Sequence, residues 1–110
     1  MATDRATLAR AAYDAYGRAD RAAFEALAAD GFRFWSPQDD GIDRAAFFAR
    51  CWPAGERSTF EIVRLMTEGD EAMVTYEARR PDGTRFRNTE VLTFAGDQLV
   101  STEVYFGWDL

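Results

Sequence analysis

The sequence predicts an α+β fold in which helices from the first half of the chain cover one face of a curved antiparallel sheet built mainly by the second half. Three observations carry this reading. Apolar residues fall at helical spacing in residues 4–16, 21–28 and 44–51. Residues suited to capping, Thr3, Asp20 and Asp43, stand at the heads of those segments. Beyond residue 58 the chain breaks into alternating runs separated by turn sequences at Gly69-Asp70, Pro81-Asp82-Gly83 and Ala95-Gly96-Asp97.

In chain order, the first helix places Leu8, Ala12, Ala15 and Tyr16 on one face, and Gly17 ends it. Asp20 caps a shorter second helix with Phe24 and Leu27 on its apolar side. Gly31 turns the chain into a short strand, FRFW (residues 32–35), which Ser36-Pro37 stops. The segment QDDGI is expected to be a loop. A third helix follows, with Phe47, Phe48 and Cys51 on one side and Pro53 and Gly55 closing it. Four strands then form a meander over residues 59–68, 71–80, 84–94 and 98–108.

The 110 residues make one domain, 1–110, and 47% hydrophobic with 15% aromatic content supplies a real core. A net charge of -6 disfavours nucleic acids and anionic membranes as partners, and no segment reaches the ~20 apolar residues of a membrane span. The opening MATDRATLAR has no apolar run, and the single Cys51 has no internal disulfide partner, so a cytoplasmic location is expected. The chain has no histidine and no lysine. A histidine-dependent triad, a histidine-ligated zinc and a Schiff base are thereby excluded, and no metal or other cofactor is expected. Cys51 reads as a core thiol, and the Asp39–Asp43 run as a turn with a helix cap and not a calcium loop. The eight glycines form no dinucleotide or phosphate fingerprint.

The layout resembles the nuclear transport factor 2-like superfamily, within it the SnoaL-like branch. AYDAYGRADRAAFEALAADGFRFWSP and DGTRFRNTEVLTFAGDQLVSTEVYFG carry the resemblance. It implies a cystatin-like cone: three N-terminal helices on a strongly curved antiparallel sheet, with a ligand pocket inside. Relatives in that group include ketosteroid isomerases, limonene epoxide hydrolase and polyketide cyclases, so fold alone does not give function.

Strict alternation along the last two strands, anchored on Phe94 and Leu99, points Phe86, Asn88, Glu90, Leu92, Ser101, Glu103, Tyr105 and Gly107 inward. A three-residue turn at Pro81-Asp82-Gly83 adds Tyr76, whereas a two-residue turn brings in Glu77 instead. The expected floor is therefore Tyr76, Asn88, Glu90, Glu103 and Tyr105. Trp35, Phe48 and Trp52 are candidate walls, with Tyr13 and Leu92 as further lining. Two inward glutamates on neighbouring strands raise at least one carboxyl pKa and provide a proton donor or an oxyanion partner. The alternative is structural: both bond to Asn88, Ser101, Tyr76 or Tyr105, or face a water-filled mouth.

The resemblance singles out Glu90, which stands four residues before Phe94, where ketosteroid isomerases carry a protonated aspartate that stabilises an enolate oxygen. The rest of that site does not carry over. Ser36 occupies the place of the isomerase base, Ala12 that of the oxyanion tyrosine, with Tyr13 and Tyr16 nearby, and Gly107 that of an acid common in SnoaL-like sequences. Three functions stay open: an isomerase, cyclase or dehydratase using Glu90 and Glu103, a non-catalytic binder of a small apolar molecule with a polar or carbonyl group, and a dimerisation module. A homodimer through the outer sheet face, at Val91, Val104, Phe106 and Trp108, is expected because the final strand is apolar on both sides.

Overall fold

A computed structural model of the chain describes residues 3–52 and 59–110. The element order is α1 (Arg5–Gly17), α2 (Arg21–Leu27), β1 (Ala28–Ser36), β2 (Asp39–Asp43), α3 (Arg44–Arg50), β3 (Thr59–Glu68), β4 (Glu71–Arg79), β5 (Arg85–Ala95) and β6 (Gln98–Asp109). Each helix starts at an aspartate. Asp20 and Asp43 accept the Ala23 and Ala46 N–H groups as expected. The cap of α1 is Asp4 and not Thr3: Asp4 accepts both the N–H and the hydroxyl of Thr7, while the Thr3 N–H reaches Asp97. The expected stop at Pro53 and Gly55 lies outside the described residues.

All six strands form one curved, unclosed sheet in the order β2-β1-β6-β5-β4-β3. It is mixed, which departs from the antiparallel expectation: β1 runs parallel to β6, pairing Phe34 with Thr102 and Trp35 with Glu103. QDDGI is not a loop. Residues Asp39–Asp43 form an edge strand against β1, with Phe34 opposite Ile42, and Arg33 Nε donates to the Gly41 carbonyl at 2.6 Å. Gly41 sits at φ 64°, and a Cβ there would stand 3.0 Å from the Trp35 ring, so only glycine lets the indole lie flat against the strand.

The helices pack on the concave face. Leu8, Ala9, Ala12, Tyr13 and Ala15 of α1 meet Ala72, Val74, Tyr76 and Ala78 of β4, and Phe32, Phe94 and Leu99 fill the centre. Along β4 burial alternates without interruption, which places Tyr76 inward and leaves Glu77 out.

β6 does not alternate so simply. Phe94 pairs with Leu99 but Thr93 pairs with Ser101, leaving Val100 as an extra residue. Asn88 pairs with Phe106 but Arg87 with Trp108, leaving Gly107 extra. These are β-bulges, and they bend the strand across the cone. Gly107 is required at the second: a Cβ there would lie 2.0 Å from the Arg87 carbonyl oxygen. Each bulge shifts the inward set by one residue. Between them Thr102, Val104 and Phe106 turn to the concave side, and Ser101, Glu103 and Tyr105 turn out. The inward expectation for Ser101, Glu103 and Tyr105 and the outward one for Val104 and Phe106 are therefore corrected. At Trp108 the two shifts cancel, and its side chain is on the outer face, with the Arg87 guanidinium 5.6 Å from its ring centre.

Candidate functional site

A cavity of about 370 Å³ lies between the helices and the concave sheet face. Its floor is Tyr76 from β4, Asn88, Glu90 and Leu92 from β5, and Thr102, Val104 and Phe106 from β6. Tyr13 and Tyr16 from α1, Phe24 from α2 and Phe47 from α3 close it above. The wall is rich in aromatic side chains, so a polar group packed among them stands in a medium poor in competing water.

At the deep end the Tyr76 hydroxyl donates to Glu90 Oε2 at 2.6 Å. Asn88 lies beside this pair; its Nδ2 reaches the Tyr76 oxygen at 3.4 Å, and its Oδ1 accepts the N–H of Gly107 at 3.1 Å. Asn88 thus ties the second bulge to the cavity floor. Tyr13 packs against Tyr76 with ring centres 5.3 Å apart. Its hydroxyl is buried and faces the Glu90 carboxylate, close enough for each to shift the other's proton affinity but without full hydrogen-bond alignment.

Burial pushes the Glu90 carboxyl up to about 6, and the hydroxyls of Tyr76 and Tyr13 pull back against that rise. No cation among the described residues opposes it. Burial, and secondarily the Glu90 charge, holds Tyr76 and Tyr13 protonated well above the usual phenol range. The end of the cavity is therefore a cluster of hydroxyl donors around a carboxyl that is protonated in mild acid.

Tyr13, Tyr76, Asn88, Glu90 and Leu92 of the sequence-derived residues share this cavity. Glu103 and Tyr105 do not. They face outward, Tyr105 donating to Glu103 Oε2 at 2.8 Å, beside a shallow depression that Trp35 also lines. Phe48 is buried, with the guanidinium groups of Arg21 and Arg44 each over its ring, and its neighbour Phe47 meets the cavity instead. Trp52 packs outside the lining, against Tyr16, Phe24 and Phe48. Sequence reasoning missed Asp39, Thr102, Val104 and Phe106. The Gly107 requirement marks one bulge, but the Val100 bulge has no local signature, so the β6 residues could not be placed by counting.

Asp39 stands at the start of β2, with its side chain 8% exposed. Ser36 Oγ donates to Oδ2 at 2.9 Å, and Arg50 lies 2.9 Å from Oδ1 without hydrogen-bond alignment. Cys51 is nearby, and burial and then the Asp39 charge push its thiol up. That does not suit a nucleophile.

Among solved structures the fold is similar to a nuclear transport factor 2-like protein of unknown function from Cytophaga hutchinsonii (TM-score 0.77, 14% identity, 91% of this chain and 87% of that one). It is similar as well to a candidate ketosteroid isomerase from Kribbella flavida (0.78, 23%, 92% and 76%) and a candidate polyketide cyclase from Sinorhizobium meliloti (0.73, 18%, 90% and 94%). At these identities the likeness concerns the fold. No curated protein sequence matches the chain. The sequence profile of the SnoaL-like domain covers residues 9–102, nearly the whole α+β cone, and the chain belongs to that family.

Proposed function

We propose that this chain is a small-molecule pocket protein that takes a largely apolar carbonyl compound, with Glu90 and Tyr13 holding the carbonyl or enolate oxygen and Tyr76 orienting Glu90, in a proton-transfer reaction of the isomerase, cyclase or dehydratase kind. One observation carries the reading: a carboxyl raised to about 6 lies at the end of a cavity rich in aromatic side chains, beside two buried tyrosine hydroxyls. A protonated Glu90 donates to a carbonyl oxygen, and negative charge developing on that oxygen raises the Glu90 pKa further, strengthening the contact along the reaction. Similar folds described as a candidate ketosteroid isomerase and a candidate polyketide cyclase favour this chemistry.

The second reading, a binder without turnover, is favoured by the outward position of Glu103, which leaves Glu90 as the one glutamate lining the cavity among the described residues. Binding of 1-tetralone, followed by ligand-detected NMR at pH 5, tests what both share. Glu90→Ala is expected to weaken it by about 1–3 kcal/mol and Glu90→Gln by less, since the amide keeps a donor. Equal affinities for wild type and both variants would show that Glu90 does not touch the ligand. Exchange of the ketone's α-hydrogens in D2O separates enzyme from binder.

A further inference from the structure

The two ends of the cavity differ in charge. Its deep end holds Glu90 with the Tyr13 and Tyr76 hydroxyls, and its other end holds Arg80, the one cation lining it among the described residues. Arg80, Phe86, Asn88 and Phe106 line both the cavity and a shallower depression beside it. Phe106 is 53% exposed there, which marks this end as the mouth.

The turn after β4 sets Arg80 in place. Ala78 is buried and Arg79 exposed, so the next residue returns to the concave side. The Arg80 N–H donates to the Thr84 carbonyl, and the Arg80 carbonyl accepts from the Gly83 N–H, both at 2.9 Å. The guanidinium lies over the Phe86 ring, 4.3 Å from its centre, and Nη1 donates to Thr84 Oγ1 at 3.2 Å. Stacking occupies a face of the guanidinium plane and Thr84 one edge position, so most of the five N–H donors are left for another acceptor. Among the described residues no carboxylate takes them. Asp82 senses the Arg80 charge, but its Oδ1 accepts the N–H and hydroxyl of Thr84, and Asp109 lines the outer depression without an ion pair to Arg80.

We propose, resting on the reading above, that the ligand is a keto acid whose carbonyl meets Glu90 and Tyr13 and whose carboxylate meets Arg80 at the mouth. Electrostatics fix this orientation. A carboxylate at the deep end would face Glu90 among buried phenols, whereas at the mouth it keeps water on one side and a planar cation on the other. Arg80 also counters the net charge of -6, which by itself repels an approaching anion. Strand geometry sets the length. Glu90 and Phe86 lie on β5 four residues apart, or about 14 Å at ~3.4 Å per residue. Contacts of about 2.8 Å at each end leave roughly 8 Å between the ligand's carbonyl oxygen and its carboxylate.

The probes are 1-tetralone-6-carboxylate, its methyl ester and 1-tetralone, at pH 5, where an ordinary carboxylate is ionised and Glu90 is mostly protonated. Wild-type protein should bind the acid roughly fivefold or more tightly than the ester, and added sodium chloride should shrink that ratio. In Arg80→Gln the ratio should fall to about one, as the charge-assisted contact is lost. Equal binding of acid and ester to wild type overturns the keto acid and leaves the carbonyl site standing. A ratio that persists in Arg80→Gln overturns the role of Arg80. Acid binding that depends on Arg80 but is unchanged in Glu90→Ala supports the anion site and overturns the carbonyl reading. Failure of all three probes to bind overturns both. The acid–ester comparison in wild type needs no variant, so it stands however Arg80→Gln folds.

Discussion

The Tyr76 hydroxyl donates to Glu90 Oε2 at 2.6 Å inside a cavity rich in aromatic side chains, with no cation beside the carboxyl among the described residues. Burial disfavours the Glu90 charge and the hydrogen bond partly restores it; burial wins, and the pKa rises to about 6. Ligand affinity should follow that proton. Only the protonated carboxyl donates to a carbonyl, so 1-tetralone should bind best below about pH 6 and weaken progressively as pH rises to 8. The dissociation constant measured across that range checks this, and Glu90→Gln should give a flat profile.

Stability should follow the same group with a definite sign. The folded pKa of about 6 exceeds the ordinary 4.5, so the folded state holds more protons between those values. Stability is then highest below pH 4.5 as far as Glu90 is concerned, and falls as pH rises to 6 by about 2 kcal/mol. Urea unfolding of wild type and Glu90→Gln at pH 4.5 and 7 should show the variant gaining relative to wild type at the higher pH.

Tyr13→Phe removes a buried hydroxyl that faces Glu90 without full hydrogen-bond alignment. Unfolding free energy should change by less than about 1 kcal/mol, while affinity for 1-tetralone should drop roughly fivefold or more. A large stability loss with unchanged binding would place the hydroxyl in the structure and not in the site.

Gly107→Ala puts a Cβ against the Arg87 carbonyl at the second β6 bulge. Destabilisation of about 1–3 kcal/mol or more is expected, together with disturbed Asn88 amide signals, because Asn88 bonds the Gly107 N–H. Chemical denaturation and NMR report the two effects separately.

The outer sheet face is proposed to pair with a second copy of the chain. Met66, Met73, Tyr105 and Trp108 are each about half exposed or more there, next to Val91. Val104 and Phe106 are not part of that patch. A two-fold arrangement would bury it on both subunits. Sedimentation at micromolar concentration should give about twice 12.4 kDa, and Trp108→Glu should give monomer while Phe106→Glu leaves the dimer intact.

Much of this protein was determined locally. Aspartates at 20 and 43 set two helix starts because a side-chain carboxylate meets free N–H groups wherever it stands there. On β4 and β5, unbroken alternation from Phe94 back to Tyr76 brought Tyr76, Asn88, Glu90 and Leu92 to one face. Other features depended on the folded partner strands. Pairing β1 parallel to β6 joins segments about seventy residues apart, and β2 is an edge strand too short and polar to show alternation. The bulges at Val100 and Gly107 exist only as a mismatch of length between β5 and β6 as the sheet bends. Since side chains alternate with a period of two, one extra residue was enough to send Glu103 and Tyr105 to the outer surface and bring Val104 and Phe106 into the cavity.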